Sequence, residues 1–323
     1  MRSSTATKAR RRLVRKPALP GETLPVTEPH PMPRIHPPRA FGAHLIIATV
    51  LASALGCGGS GDGSPVAPSG TAASSPTGFF SSPGAQLHYQ LDFPSGPGPF
   101  PAVVFGHGSG QVTKTDGGVH VPFWLGQGFA VLRFDKRGSG QSTGTYRGVS
   151  AANSFDQILE LAGDMAAGVA FLKARSDIDG TRIGLTGVSQ AGWVMVAATT
   201  LTTDVRFVVA VVGSVVPIGV NIVWEDLRTA PIDQAYGELS LYTGPRGWDP
   251  LPALRATSAP VLYLLGADDR LVPTRVCAPI LNELRDSGAR VDQRTYPGIG
   301  HELGASNRSW SDVAQWLRAQ GVR

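Results

Sequence analysis

Arg182-Ile-Gly-Leu-Thr-Gly-Val-Ser-Gln-Ala-Gly192 passes from a β-rich run through small residues into a helical segment at about 189–200. Ser189 therefore sits in a sharp strand-to-helix turn, with Gly187 before it and Ala191 and Gly192 after it. Small neighbours suit a side chain carried on a strained, close-packed turn, and the following helix offers free backbone N–H groups to negative charge. A serine here could equally cap the helix. The turn by itself leaves both roles open.

Outward from this turn, short β-rich runs alternate with amphipathic stretches from about residue 79, the pattern of a mostly parallel twisted sheet flanked by helices. Strands are expected at 87–92, 101–105, 130–134, 182–186, 207–212, 261–265 and 291–296. Several are apolar on both faces, as buried parallel strands are. Helices are expected at about 119–127, 153–175, 189–200, 274–286 and 308–319. In the second, Ile158, Leu161, Met165, Gly168, Val169 and Leu172 recur every three to four residues and form one core-facing stripe. The stretch 214–255, with Pro217, Trp224, Pro231, Tyr236, Trp248 and Pro250, interrupts the alternation and is expected to form a short lid-like insertion over the ligand-binding end of the sheet.

A serine hydroxyl is a weak nucleophile near neutral pH; it needs a histidine as base and a carboxylate to fix that histidine's tautomer. Both types follow Ser189, each just after an expected strand. The run 261–265 leads into Gly266-Ala-Asp-Asp-Arg-Leu-Val-Pro273, which offers Asp268 and Asp269, and 291–296 leads into Pro297-Gly-Ile-Gly-His301. His88, His107 and His120 precede Ser189 on other segments. Over residues 79–323 the chain resembles the α/β-hydrolase superfamily, in which nucleophile, acid and base follow one another in that order. The resemblance implies the α/β-hydrolase fold and a triad of Ser189, Asp269 and His301. Ala191 stands where the strict Gly-x-Ser-x-Gly pattern has its second glycine.

Two further segments extend the likeness. Gly106-His-Gly-Ser-Gly110 resembles the superfamily's His-Gly-x loop, which implies an oxyanion hole formed by the backbone N–H groups of Ser109 and Gln190. Asp135-Lys-Arg-Gly-Ser-Gly-Gln-Ser142 resembles the Asp-x-Arg-Gly-x-Gly-x-Ser turn that shapes the floor of the site. Its glycines lack the spacing of a dinucleotide loop, and neither His-Glu-x-x-His nor paired-cysteine spacing occurs. No cofactor and no metal are implied.

The chain has 323 residues, 42% hydrophobic and 16% charged, with 40 Gly and 26 Pro. These proportions exclude a polytopic membrane protein, a coiled coil and a wholly disordered chain. Its net charge of +5 is concentrated at one end: residues 1–40 hold nine basic and two acidic residues, and the remainder holds 20 basic and 22 acidic. A nearly neutral body gives no electrostatic basis for binding nucleic acid. Leu45-Ile-Ile-Ala-Thr-Val-Leu-Ala-Ser-Ala-Leu55 is too short to span a bilayer. With Gly56-Cys57 behind it, this run resembles a bacterial lipoprotein signal, although Ala54 replaces that family's usual Leu. The likeness implies export to the bacterial cell envelope and membrane attachment only through a lipid on Cys57.

Residues 1–56 thus read as a basic leader and signal, of which 1–31 are expected to be an over-extended start ahead of Met32. Residues 57–78, rich in Gly, Ser and Pro, read as a flexible tether, and 79–323 as the folded domain. With Cys57 lipidated, Cys277 is left a buried thiol with no disulfide partner.

The expected activity is that of a serine hydrolase, most simply a carboxylesterase acting on a small-molecule ester through an acyl-enzyme. The resemblance extends to esterase, dienelactone-hydrolase-like and prolyl-oligopeptidase-like members, so peptidase and thioesterase activity stay open. A lipid-anchored binding protein without catalysis is the alternative from another class.

Overall fold

The structure, a computed structural model, describes residues 75–305 and 307–323. The leader, the signal with Cys57 and most of the expected tether lie outside the described residues. Eight strands form one sheet: β1 (Thr77–Ser82), β2 (Ala85–Asp92), β3 (Phe100–Gly106), β4 (Ala130–Phe134), β5 (Ile178–Val188), β6 (Val208–Val211), β7 (Val261–Gly266) and β8 (Val291–Tyr296). Their spatial order is β1-β2-β4-β3-β5-β6-β7-β8. The pairs β1/β2 and β2/β4 are antiparallel, and every pairing from β4 to β8 is parallel.

Strand alternation splits the core into two layers, one on each face of the sheet. Ala102 and Val104 of β3, Val208 and Ala210 of β6, and Val261, Tyr263 and Leu265 of β7 point into one layer. Their neighbours Val103, Val209, Val211, Leu262 and Leu264 point into the other. Because both faces are covered, these strands are apolar throughout, which is why they were legible as continuous runs.

Helices α2 (Ser154–Lys173), α3 (Ala191–Ala198) and α7 (Thr274–Asp286) cover the first layer. Helices α1 (Val121–Gly126) and α8 (Trp310–Ala319) cover the second. The expected stripe of α2 is buried as read, from Ile158 to Leu172.

Strand β1 was not anticipated. It begins at Thr77, inside the stretch read as tether, so the last two residues of that stretch are strand. An edge strand buries few side chains: Phe80 is inside and Phe79 is 52% exposed. Its hold comes from pairing with β2, which composition does not report.

The stretch 214–255 folds as three short helices, α4 (Ile218–Asp226), α5 (Ile232–Ser240) and α6 (Leu251–Ala256). Trp224 is fully buried, with its ring 4.3 Å from that of Tyr236. Arg270, just after β7, lies over Trp224 and donates hydrogen bonds to the carbonyls of Arg228 and Ala230. The stretch therefore rests against the loop that follows β7.

Candidate active site

In a parallel sheet the carboxyl ends of all strands emerge at one edge, and the crevice lies where successive connections diverge to opposite faces. That divergence falls between β3 and β5. The connection after β3 leads to α1 on one face, and the one after β5 leads to α3 on the other. Gly106 at the end of β3 is in register with Gly187 at the end of β5, so their following loops meet.

Ser189 has φ of +56°, in the left-handed region that non-glycine residues avoid. Its N–H is held by Val211 O at 3.0 Å, and its carbonyl accepts Gly192 N–H at 2.9 Å. The turn is close-packed, as its small residues suggested. A Cβ on Gly187 would lie 2.5 Å from Gly106 O, and one on Gly192 would lie 2.8 Å from Gly213 Cα. Ala191 is tolerated in place of glycine because the bare Gly106 and Gly187 leave its methyl room. Val212, the residue after β6, also has positive φ, +47°, a strained state for a β-branched side chain.

Of the two carboxylates after β7, Asp268 is exposed and Asp269 is buried. Asp269 Oδ1 accepts the N–H groups of Leu271 (2.7 Å) and Val272 (2.9 Å). Its Oδ2 lies 2.8 Å from His301 Nδ1. The loop after β8 thus meets the loop after the adjacent β7, and with Asp269 accepting, the other imidazole nitrogen is left free to take a proton.

The other histidines are differently occupied. His88 pairs with Asp135 at 3.2 Å. His107 is edge-on to Phe105 and Phe134, and burial, aided by the charge of Lys136, pushes it down to about 3. His120 packs on Phe105 and Trp310, and burial pushes it down to about 4. These two imidazoles stay neutral at ordinary pH.

The Gly-rich loop after β3 lies against the turn at Ser189: a Cβ on Gly108 would come 3.8 Å from Ser189 Cβ. Among the described residues, neither the Ser109 N–H nor the Gln190 N–H has an acceptor. Two donors with no protein acceptor beside a nucleophile are what a developing oxyanion requires.

The turn Asp135–Ser142 reaches the loop after β3 and Gln190 through Lys136. Burial would raise the Asp135 carboxyl, but hydrogen bonds from the Gln141 and Lys114 N–H groups and from the His88 and Lys114 side chains hold it below the usual range. Gly140, at φ +53°, passes so close that a Cβ would collide with that carboxylate. Arg137 is buried against Asp164 and Glu160.

Lys136, between Asp135 and Arg137, was not singled out in the sequence. It is 3% exposed, and burial draws its ammonium down to about 7, with Asp116 and Asp164 opposing. On the acid side, Asn221 of α4 donates to Leu271 O at 3.1 Å and to Glu225 at 2.7 Å. Burial raises Glu225 above the usual carboxylate range, with Asn221 and the nearby His301 opposing. A lysine in a turn carries no pattern that would have marked it, whereas Glu225, with Asp226, is the sequence's nearest candidate to anchor a peptide amine.

Comparisons with known proteins agree with this architecture. An esterase of Pyrococcus furiosus superposes with a TM-score of 0.58 at 18% identity, over 76% of this chain and 91% of its own. Acetyl xylan esterase 1 from Thermoanaerobacterium gives 0.53 at 21%, over 79% and 86%. The 2,6-dihydroxy-pseudo-oxynicotine hydrolase gives 0.57 at 19%, over 75% and 67%. At such identities the likeness is one of fold. Among curated proteins, none matches significantly. The family model for the prolyl oligopeptidase family matches residues 118–320, a span reaching from three residues before α1 through Ser189, Asp269 and His301 to the end of α8. This chain belongs to the prolyl oligopeptidase family, serine hydrolases on the α/β-hydrolase fold.

Proposed function

We propose that the protein hydrolyses a carboxylic ester through an acyl-enzyme on Ser189. His301 takes the Ser189 hydroxyl proton while the oxygen attacks the ester carbonyl. The N–H groups of Ser109 and Gln190 hold the oxyanion, and the collapsing intermediate expels the alcohol, which receives the proton from His301. Water, deprotonated by the same imidazole, then releases the acid. Asp269 keeps the proton on Nδ1 and stabilises the imidazolium. The observation that carries this reading is the 2.8 Å contact of His301 Nδ1 with buried Asp269, at the sheet edge that also carries the left-handed Ser189.

In this reading residues 214–255 cover the acyl site as a lid, and the whole is exported and tethered to a membrane through Cys57. The esterase named among the fold relatives favours an ester. Family membership supports a second reading, cleavage of a peptide bond, with Glu225 beside His301 able to receive a substrate amine.

A panel of nitrophenyl esters set against aminoacyl and prolyl amides, each run with Ser189→Ala and His301→Ala, separates the two. The expected result is ester turnover that both variants abolish. Amide turnover above ester turnover would favour the peptidase, and ester turnover undiminished in Ser189→Ala would overturn the mechanism.

A further inference from the structure

We propose that Lys136 is a positioning residue of the oxyanion hole, an ammonium that clamps the loop after β3 to Gln190 and so aims both donors. This rests on the reading of Ser189 as nucleophile and names the part of the chain that sets the geometry around it.

Lys136 Nζ lies 2.6 Å from Gly108 O, 3.0 Å from Gly110 O and 3.1 Å from Gln190 Oε1. An ammonium carries three N–H groups, so three neutral acceptors match its donors one for one. A buried cation met by dipoles in place of an adjoining carboxylate is an expensive arrangement. Here it joins two segments far apart in sequence, and those two segments carry the two donors without a protein acceptor.

The link from cation to donor is covalent geometry. Gly108 O and Ser109 N–H belong to one peptide unit, which is planar and trans, so its carbonyl and N–H point in opposite directions. With the Gly108 carbonyl drawn to Lys136, the Ser109 N–H is turned away from the lysine, on the loop that borders Ser189. The Gln190 side chain is fixed by the same ammonium, which anchors the residue whose own N–H is the second donor.

Tyr146 closes the clamp. Its hydroxyl accepts Gly110 N–H at 3.2 Å and Gln190 Nε2 at 3.3 Å, while its ring lies 4.5 Å from Lys136 Nζ. While protonated, Lys136 also places positive charge behind the hole, with the sign that favours an oxyanion.

Losing a whole oxyanion donor costs about 10² to 10³ in kcat. Misaiming donors should cost somewhat less, so Lys136→Met is expected to lower kcat by about 10- to 10²-fold on a nitrophenyl ester, with KM within about threefold of wild type. Affinity for an alkyl boronic acid, which becomes tetrahedral on Ser189, should fall by a similar factor. A residue that merely filled space would not move kcat and boronate affinity together at constant KM.

Lys136→Ala provides the second variant. Propylammonium entering the vacated space should restore kcat in a saturable way, while an uncharged alcohol of the same size should not. Equal rescue by the alcohol, or unchanged kcat and boronate affinity in a folded Lys136→Met, would overturn the proposal. Fluorophosphonate labelling of wild type separates the two levels. With Ser189 labelled and the Lys136 variants unaltered, only the clamp fails; with Ser189 unlabelled, the nucleophile reading fails and the clamp with it.

Discussion

Replacing Asp269 by asparagine changes little in volume and, through one hydrogen bond, reverses the proton on the far side of His301. The carboxylate uses Oδ1 to accept two backbone N–H groups, from Leu271 and Val272, and Oδ2 to meet His301 Nδ1. An amide cannot turn its NH2 toward those two donors, so its oxygen must take the Oδ1 position. Its NH2 then faces His301 Nδ1, which has to become the acceptor. The proton moves to Nε2, and the nitrogen that should receive the Ser189 proton is already protonated. A wrong tautomer in this constellation costs about 10⁴ in kcat, which is about 5.5 kcal/mol of barrier.

The backbone bonds survive and the site keeps its packing, so thermal stability should be close to wild type. Steady-state hydrolysis of a nitrophenyl ester, with a melting curve on the same sample, reads both effects. Asp268→Asn, changing the exposed neighbour, should leave the rate unaltered. Asp269→Asn retaining more than about a tenth of wild-type kcat would refute the tautomer argument.

Other perturbations bear on the scaffold. Gly192→Ala would drive a methyl to 2.8 Å from Gly213 Cα, backbone against backbone, so it should cost about 1–3 kcal/mol; an unchanged melting temperature would show that α3 shifts freely. His107 and His120 titrate near 3 and 4 in the folded chain, below the ordinary value of 6.5, so the unfolded chain takes up protons first as pH falls. Stability present above that value should then be lost on acidification by about 1.4 kcal/mol per pH unit per imidazole until the folded pKa is reached. His120→Phe should flatten the acid side of the melting profile, and a profile parallel to wild type would contradict this. Burial pushes the Cys277 thiol up to about 11, so iodoacetamide in mildly alkaline buffer should spare it until the chain is denatured. Peptide mapping distinguishes it from Cys57, and rapid labelling of Cys277 in the native state would contradict its burial.

Much of this was legible in the chain because buried parallel strands and a core-facing helix stripe write themselves as local patterns. The run 130–134 is a strand with those limits, 261–265 lies within β7, and 274–286 is helix. Ser189, Asp269 and His301 could be picked out because each follows a strand, and a strand's end fixes where the next residues emerge. Asp269 could be preferred to Asp268 only by resemblance; burial and three hydrogen bonds now give a physical reason. Strand β1 was missed because an edge strand depends on its partner's hydrogen bonds, and Thr77-Gly-Phe-Phe-Ser-Ser82 shows no alternation of its own. The helices within 214–255 were missed because prolines flank short segments whose packing partners lie far away in sequence. Lys136 was hidden for a similar reason: its partners are carbonyls at 108 and 110 and an amide at 190, and no local pattern reports a side chain's distant acceptors.

Labelling the purified protein with a fluorophosphonate and mapping the adduct by mass spectrometry tests whether a hydroxyl here has been made reactive by its surroundings. One stoichiometric adduct is expected, on Ser189, absent in Ser189→Ala and strongly slowed in His301→Ala. An ester-hydrolysing preparation whose Ser189 stays unmodified, or that labels equally well without His301, would contradict it.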